Sequence, residues 1–310
     1  MSDAIILARE LSKWYGKVIG LNSFNIEIGK GITGIVGPNG SGKSTFFKLM
    51  IGSIKPNVGE LVVMGHRPWR DPSYLREVGF CPDYDFLPSD TTGRDYLRFS
   101  GGMQGMEGAK LSTRVDELLK LVGMTRDADR NIGGYSKGMK QRIKIAGSLV
   151  HDPPMLLLDE PFSGTDPMVR RDLMDLVKSL HHEHGHDVII SSHVLHDVER
   201  LTNSVGLIYR GRAVATGEIS EIRGLMSKYP HRIIIEGKGL MELAKQLIDR
   251  PYTVSLHLAP DRSSMTAEVS MPEDFFNEMP DLVQRSGSEL TQMRSLDDDL
   301  ESVFKYLAGD

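Results

Sequence analysis

The sequence predicts an α/β protein with a parallel sheet, extended at its carboxyl end by a smaller α+β domain. Two observations carry the first part. The runs "ITGIVG" (32–37), "PMLLLD" (154–159) and "DVIISS" (187–192) are short and apolar, as strands covered on both faces are. Each is followed by a segment with helical spacing, the alternation that builds a parallel sheet. A third observation carries the extension: beyond Gly224 the patterns change to β-α-β-β-α-β with one further helix, a ferredoxin-like order.

The elements follow in order. The first apolar run leads through a glycine-rich turn into the helical pattern "KSTFFKLMIG". Between about 90 and 150 the segments "GRDYLRF", "STRVDELLKLVG" and "SKGMKQRIKIAGSLV" have helical spacing and predict a helical insertion into the α/β core. After Gly224 the pattern predicts strand 231–236, helix 239–248, strands 252–258 and 265–270, helix 272–286, strand 288–294 and helix 297–308. The last helix opens with "LDDDLE", carboxylates that suit the positive end of a helix dipole. The domains expected are therefore 1–224 and 225–310, the second a module for packing or dimerisation rather than for sensing a ligand.

Composition narrows the classes. The chain has 310 residues, 40% hydrophobic and 25% charged, enough to bury a core without staples. A net charge of −5 gives no general pull toward nucleic acid or anionic lipid. One cysteine, Cys81, excludes an intrachain disulfide framework and fits a reducing compartment. No apolar run approaches the about 20 residues of a membrane-spanning helix, and "MSDAIILARE" is too short in its apolar part for a secretory signal. A cytoplasmic chain that meets a membrane through a partner is expected.

"GPNGSGKST", Gly37–Thr45, has the G-x-x-x-x-G-K-[ST] spacing between a buried strand and a helix. Gly37, Gly40 and Gly42 let the backbone curl until successive N–H groups face a phosphate, and the helix N-terminus adds favourable charge. Pro38, Asn39, Ser41 and Thr45 complete the loop. Lys43 is placed to reach the β- and γ-phosphates, and the Ser44 hydroxyl to ligate magnesium. "MLLLDEP" supplies the other half: Asp159 to hold magnesium through a water, and Glu160 to polarise a water for in-line attack. The alternative reading of each piece alone is a glycine-rich turn and an acidic strand end.

With these two motifs in place, the chain resembles the nucleotide-binding subunit of ABC transporters over 1–224. "YSKGMKQR" (135–142) is similar to the family signature "LSGGQ" followed by "xQR", "SGTDP" (163–167) to the D-loop, and "SSH" ending at His193 to the histidine switch. The resemblance implies a P-loop NTPase core with a parallel sheet, an antiparallel β subdomain and the helical insertion. It implies that Tyr15 in "KWYGK" stacks on adenine and that His193 contacts the γ-phosphate. It also implies that Ser136 and Gly138 meet the γ-phosphate of ATP held by a second copy. Read from the residues alone, Ser136 is a helix N-cap, His193 a structural histidine and Tyr15 a core or edge aromatic.

Two of the departures from the family pattern bear on the reading of the site. Lys137 replaces the first signature glycine, a change compatible with helical geometry. In "VGFCPDYDFLPSD" Asp83 stands where the family has glutamine. A carboxylate oxygen serves magnesium as well as an amide oxygen does, so Asp83 is assigned to the metal beside Ser44 and Asp159, against the alternative of a solvated loop acid. The histidine-rich "HHEHGHD" (181–187) is expected to be a loop and not a metal site.

The resemblance further implies ATP and Mg2+ as ligands, ATP hydrolysis as the activity, and a homodimer with two sites. It implies an integral membrane transporter subunit as partner, with this chain peripheral on the cytoplasmic face, and no nucleic-acid partner. The closing "LDDDLESVFKYLAGD" is similar to the "LEDVFLxLTG" ending of ATPases that serve ABC-2 type exporters. The alternative is a soluble ABC ATPase of translation or DNA repair, or an importer ATPase with a longer, β-rich tail.

Overall fold

The three apolar runs become strands whose residues are buried almost without exception, because helices and a second sheet cover them. The computed structural model describes residues 4–226 and 230–295. In chain order the first unit holds β1 (Ile6–Tyr15), β2 (Val18–Ile28), β3 (Ile32–Val36), α1 (Lys43–Met50), β4 (Val58–Val63) and β5 (Val78–Cys81). There follow α2 (Gly93–Met103), α3 (Gly108–Leu121), α4 (Lys137–Ser148), β6 (Met155–Leu158), α5 (Pro167–His182) and β7 (Asp187–Ser192). The unit closes with α6 (Leu195–Glu199), β8 (Ser204–Tyr209) and β9 (Arg212–Glu218).

Two sheets result. The larger has the order β5-β6-β7-β3-β8-β9, parallel from β5 through β8, with β9 added antiparallel at one edge. The smaller is antiparallel in the order β2-β1-β4. Helix α1 packs in the core the two sheets share. Phe46, Phe47, Leu49 and Met50 are buried there, and the Phe46 ring lies 4.9 Å from that of Phe24 on β2. Helices α2, α3 and α4 form the insertion and share a second core with the other face of the large sheet.

The second unit begins at Ile219. The shift read at Gly224 falls inside α7 (Ile219–Met226), since a composition change marks where a new pattern starts and not where contacts divide. Then come β10 (His231–Lys238), α8 (Leu240–Leu247), β11 (Thr253–Leu258), β12 (Ser264–Val269), α9 (Pro272–Ser286) and β13 (Glu289–Ser295). The sheet order β11-β12-β10-β13 is antiparallel throughout, as a split β-α-β pair requires. Alternate residues Met265, Ala267 and Val269 of β12, with Ile233 and Ile235 of β10, face Leu240, Leu243 and Leu247 of α8 and Phe275, Met279 and Leu282 of α9. The helix expected at 297–308 lies outside the described residues.

The histidine-rich stretch is used for structure. His186 Nδ1 lies 2.7 Å from the Pro153 carbonyl and His181 Nδ1 2.8 Å from the His186 carbonyl. Among the described residues no cluster suited to a metal ion forms from such side chains.

Candidate functional site

The large sheet delivers its chemistry at the carboxyl ends of its parallel strands. After β3 the chain turns through Gly37–Gly42 into α1. Gly42, the residue that opens the helix, sits at φ +114°, where a side chain would be strained. A Cβ on Gly37 would stand 2.2 Å from the Ile208 carbonyl oxygen, so the loop can lie against β8 only without one.

Lys43, the first residue of α1, is buried, and its ammonium is held on three sides. Nζ lies 2.7 Å from the Gly37 carbonyl, 3.3 Å from that of Pro38 and 3.3 Å from Glu160 Oε1. Glu160 itself takes a left-handed backbone conformation, φ +48°, which costs about 1–2 kcal/mol in a residue with a Cβ. Its other oxygen, Oε2, lies 2.8 Å from His193 Nδ1. The carboxylate thus bridges a lysine and an imidazole.

Asp159 precedes it and is buried. Burial raises its carboxyl above the ordinary range. Hydrogen bonds from Ser191 and Ser44 work in the opposite direction, and the charges of Asp83 and Glu160 raise it further. Ser191 Oγ donates to Asp159 Oδ1 at 2.5 Å and accepts the Glu160 N–H at 2.8 Å. One hydroxyl at the end of β7 therefore fixes both acids. Sequence reading passed over Ser191; the available signal was a small hydroxyl ending a buried strand, directly before Ser192 and His193.

Asp83 is exposed to solvent, at the mouth of the nucleotide-side loops. It lines a cleft of about 260 Å³ together with Tyr15, Asn39, Gly40, Ser44 and Glu160. Ser41, Lys43 and Thr45 line the same cleft. Ser44, Asp83 and Asp159 are oxygen donors of the type a hard divalent cation takes. Tyr15 sits at the rim, partly exposed, with Lys13 Nζ 5.6 Å from its ring centre.

Ser136 and Gly138 lie elsewhere in the chain and are not among the residues that line this cleft. Ser136 caps α4, accepting the Met139 N–H at 3.3 Å. Gly138 packs against α5 so closely that a Cβ would stand 2.4 Å from Val169 Cγ1. Lys137, in place of the family's first signature glycine, lays its side chain over Gly164 of the "SGTDP" turn, where an added Cβ would meet Nζ at 2.1 Å.

Residues 21–163 match the family model described as ABC transporter. The bacitracin transport ATP-binding protein of Enterococcus faecalis is 28% identical over 309 residues, 99% of this chain and 97% of that protein. The Nod factor export ATP-binding protein I of Cupriavidus metallidurans is 33% identical over 221 residues, 71% of this chain and 73% of that protein. Among solved structures, a cassette from Clostridium perfringens described as part of an ABC transporter complex superposes with a TM-score of 0.64 at 30% identity. That match covers 72% of this chain and 92% of the other.

Proposed function

The chain belongs to the ABC transporter family of ATPases, and from that premise we propose that it is the ATP-hydrolysing subunit of an ABC-2 type exporter. The observation that carries the catalytic reading is the bridged Glu160, gripped by Lys43 on one oxygen and His193 on the other, beside a buried Asp159. ATP is the substrate. Its adenine is assigned to Tyr15 and its phosphates to the loop of Gly37–Thr45, where backbone N–H groups and the helix N-terminus favour anions. The Lys43 ammonium, now satisfied by loop carbonyls and Glu160, exchanges these partners for phosphate oxygens.

That exchange frees Glu160 Oε1 to accept a hydrogen bond from a water, while His193 keeps the carboxylate in place through Oε2. His193 is also assigned to the γ-phosphate. The donor set fits Mg2+: Asp83 and Glu160 stand in the field of a buried Asp159, a surplus of negative charge that a hard cation offsets, and Ser44 adds a hydroxyl. When bound, the ion neutralises charge on the β- and γ-phosphates. Ser44, Asp83 and Asp159 are the residues that hold it.

Ser136 and Gly138 complete the site of a second copy. A capped helix N-terminus presents N–H groups to an anion, and neither residue lines this chain's own cleft, which supports use in trans. The assembly proposed is a homodimer with two sites. It drives a separate membrane-spanning subunit from the cytoplasmic face; among the described residues no helix is long and apolar enough to cross a membrane. Export is the direction favoured by the likeness to the Nod factor export protein.

The test is to tag the chain in its native cell, solubilise membranes in mild detergent and identify what co-purifies. A multi-span membrane protein is expected. Ribosomes or DNA-repair proteins in its place would favour the soluble alternative.

A further inference from the structure

Lys144 is a buried charge that neither the family motifs nor the cleft uses. It lies on α4 and, among the described residues, is one of two lysines shut off from solvent, at 3% exposure. Its Nζ lies 3.0 Å from the Pro82 carbonyl, 3.3 Å from that of Asp83, 3.5 Å from that of Tyr84 and 3.8 Å from Asp85 Oδ1. Three successive carbonyls and a carboxylate converge on one ammonium. Burying a cation costs several kcal/mol unless its donors are satisfied, and this loop supplies the partners.

The loop so held is the one that carries Asp83. Its backbone faces Lys144, and its Asp83 side chain lines the cleft beside Ser44 and acts on Asp159. One turn earlier on α4, Gln141 Nε2 donates to Cys81 Sγ at 3.4 Å, and Lys140 Nζ reaches Asp85 Oδ2 at 3.6 Å. The same face of α4 therefore grips β5 at its end and the loop beyond it. The helix begins at the Ser136 cap, about 12 Å back from Lys144 at 1.5 Å per residue.

We infer that Lys144 is a positioning residue: it locks the Pro82–Asp85 loop to the helix that opens at Ser136, so that Asp83 and Ser136 move as one body. This rests on the reading of the cleft as the nucleotide site. Engagement of Ser136 by ATP on a second copy is then transmitted through α4 to the oxygen that Asp83 presents in its own cleft. Without the ammonium, the three carbonyls turn to water and the loop loses its register with α4, while Lys43 and the phosphate loop are untouched.

The test uses Lys144→Met, which keeps the length of the side chain and removes its charge. In the nucleotide-free chain, chymotrypsin reports on the loop directly through Tyr84 and Phe86, both exposed. Cleavage after these residues is expected to accelerate about tenfold, because cutting tracks the population of the open loop. Turnover is expected to fall at least about tenfold, the scale of a misplaced catalytic contact, with ATP affinity held near that of the unaltered chain. Lys144→Arg keeps the charge and should restore most of both.

Lys144→Gln, which retains two N–H donors, carries the same expectation if Lys144→Met does not fold. Unchanged cleavage overturns the inference. So does faster cleavage with unchanged turnover, or an ATP affinity that falls in step with turnover. If the unaltered chain does not bind ATP, the nucleotide reading fails, and the cleavage rates still decide whether Lys144 holds the loop.

Discussion

His193 Nδ1 stands 2.8 Å from Glu160 Oε2, and this pairing orients the acid that faces the cleft. Glu160→Gln keeps the shape and loses the charge that Lys43 and His193 share. Hydrolysis should fall by about 10²–10⁴-fold, the usual contribution of a general base, while ATP still binds. Light scattering should then find an ATP-held dimer. A monomer at saturating ATP would count against both the role of Glu160 and the use of Ser136 in trans.

Ser191→Ala removes a donor to Asp159 and the acceptor of the Glu160 N–H together. An orphaned buried N–H costs about 1–3 kcal/mol, so the denaturation midpoint should drop by a matching amount. Ser191→Thr, which keeps the hydroxyl, should lose much less. Equal losses in both variants would mean that packing, not hydrogen bonding, is what Ser191 supplies.

Much of this site could be read from the chain, for a physical reason. Gly42 at φ +114° and Lys43 at the first turn of α1 are local demands, expressed as residue types at fixed spacing. The buried strands were equally legible, since two covered faces leave only apolar residues in β3, β6 and β7. Ser191 and Lys144 were not. Their partners are 32 and 62 positions away, and nothing local distinguishes a serine that fixes two acids from one that ends a strand. The division at Glu218 was missed for a similar reason, because α7 belongs by contact to the unit that follows it.

Asp159 makes stability depend on pH in a direction opposite to a paired surface acid. Its carboxyl is raised first by burial and then by Asp83 and Glu160, so the folded chain binds that proton more tightly than the unfolded one. The contribution of this group to stability is therefore greatest at low pH and is lost as pH rises from the ordinary carboxylate range through the raised value. Asp159→Asn cannot ionise. In metal-free buffer at neutral pH it should melt a few degrees higher than the unaltered chain, and the gain should shrink as the medium is made acid. Calorimetry of the two proteins across pH checks this; a lower melting temperature for Asp159→Asn at neutral pH would refute it.

Gly138 is held by packing as well as by any phosphate contact. An alanine there would bring Cβ to 2.4 Å from Val169 Cγ1, an overlap worth about 1–3 kcal/mol. Val169→Ala opens the space, so the double variant should recover most of the loss in a double-mutant cycle. If Gly138→Ala/Val169→Ala regains stability but not ATP-driven dimerisation, the glycine has a second task at the interface. Recovery of both would reduce it to a packing residue.

Asp83 gives the sharpest separation between binding and coupling. Its side chain lines the cleft and its charge acts on Asp159, yet it has no part in the hold on Lys43. Asp83→Gln restores an amide oxygen with one more methylene, so hydrolysis should persist. Asp83→Ala removes the oxygen and should leave ATP affinity within about threefold, since phosphate binding is dominated by the loop and Lys43. What it should lose is turnover, and with it the stimulation by the membrane subunit, measured in detergent and in proteoliposomes. Lys43→Ala is the reference: if Asp83→Ala loses as much ATP affinity as that variant, the acid belongs to nucleotide binding itself and its separate role in coupling falls.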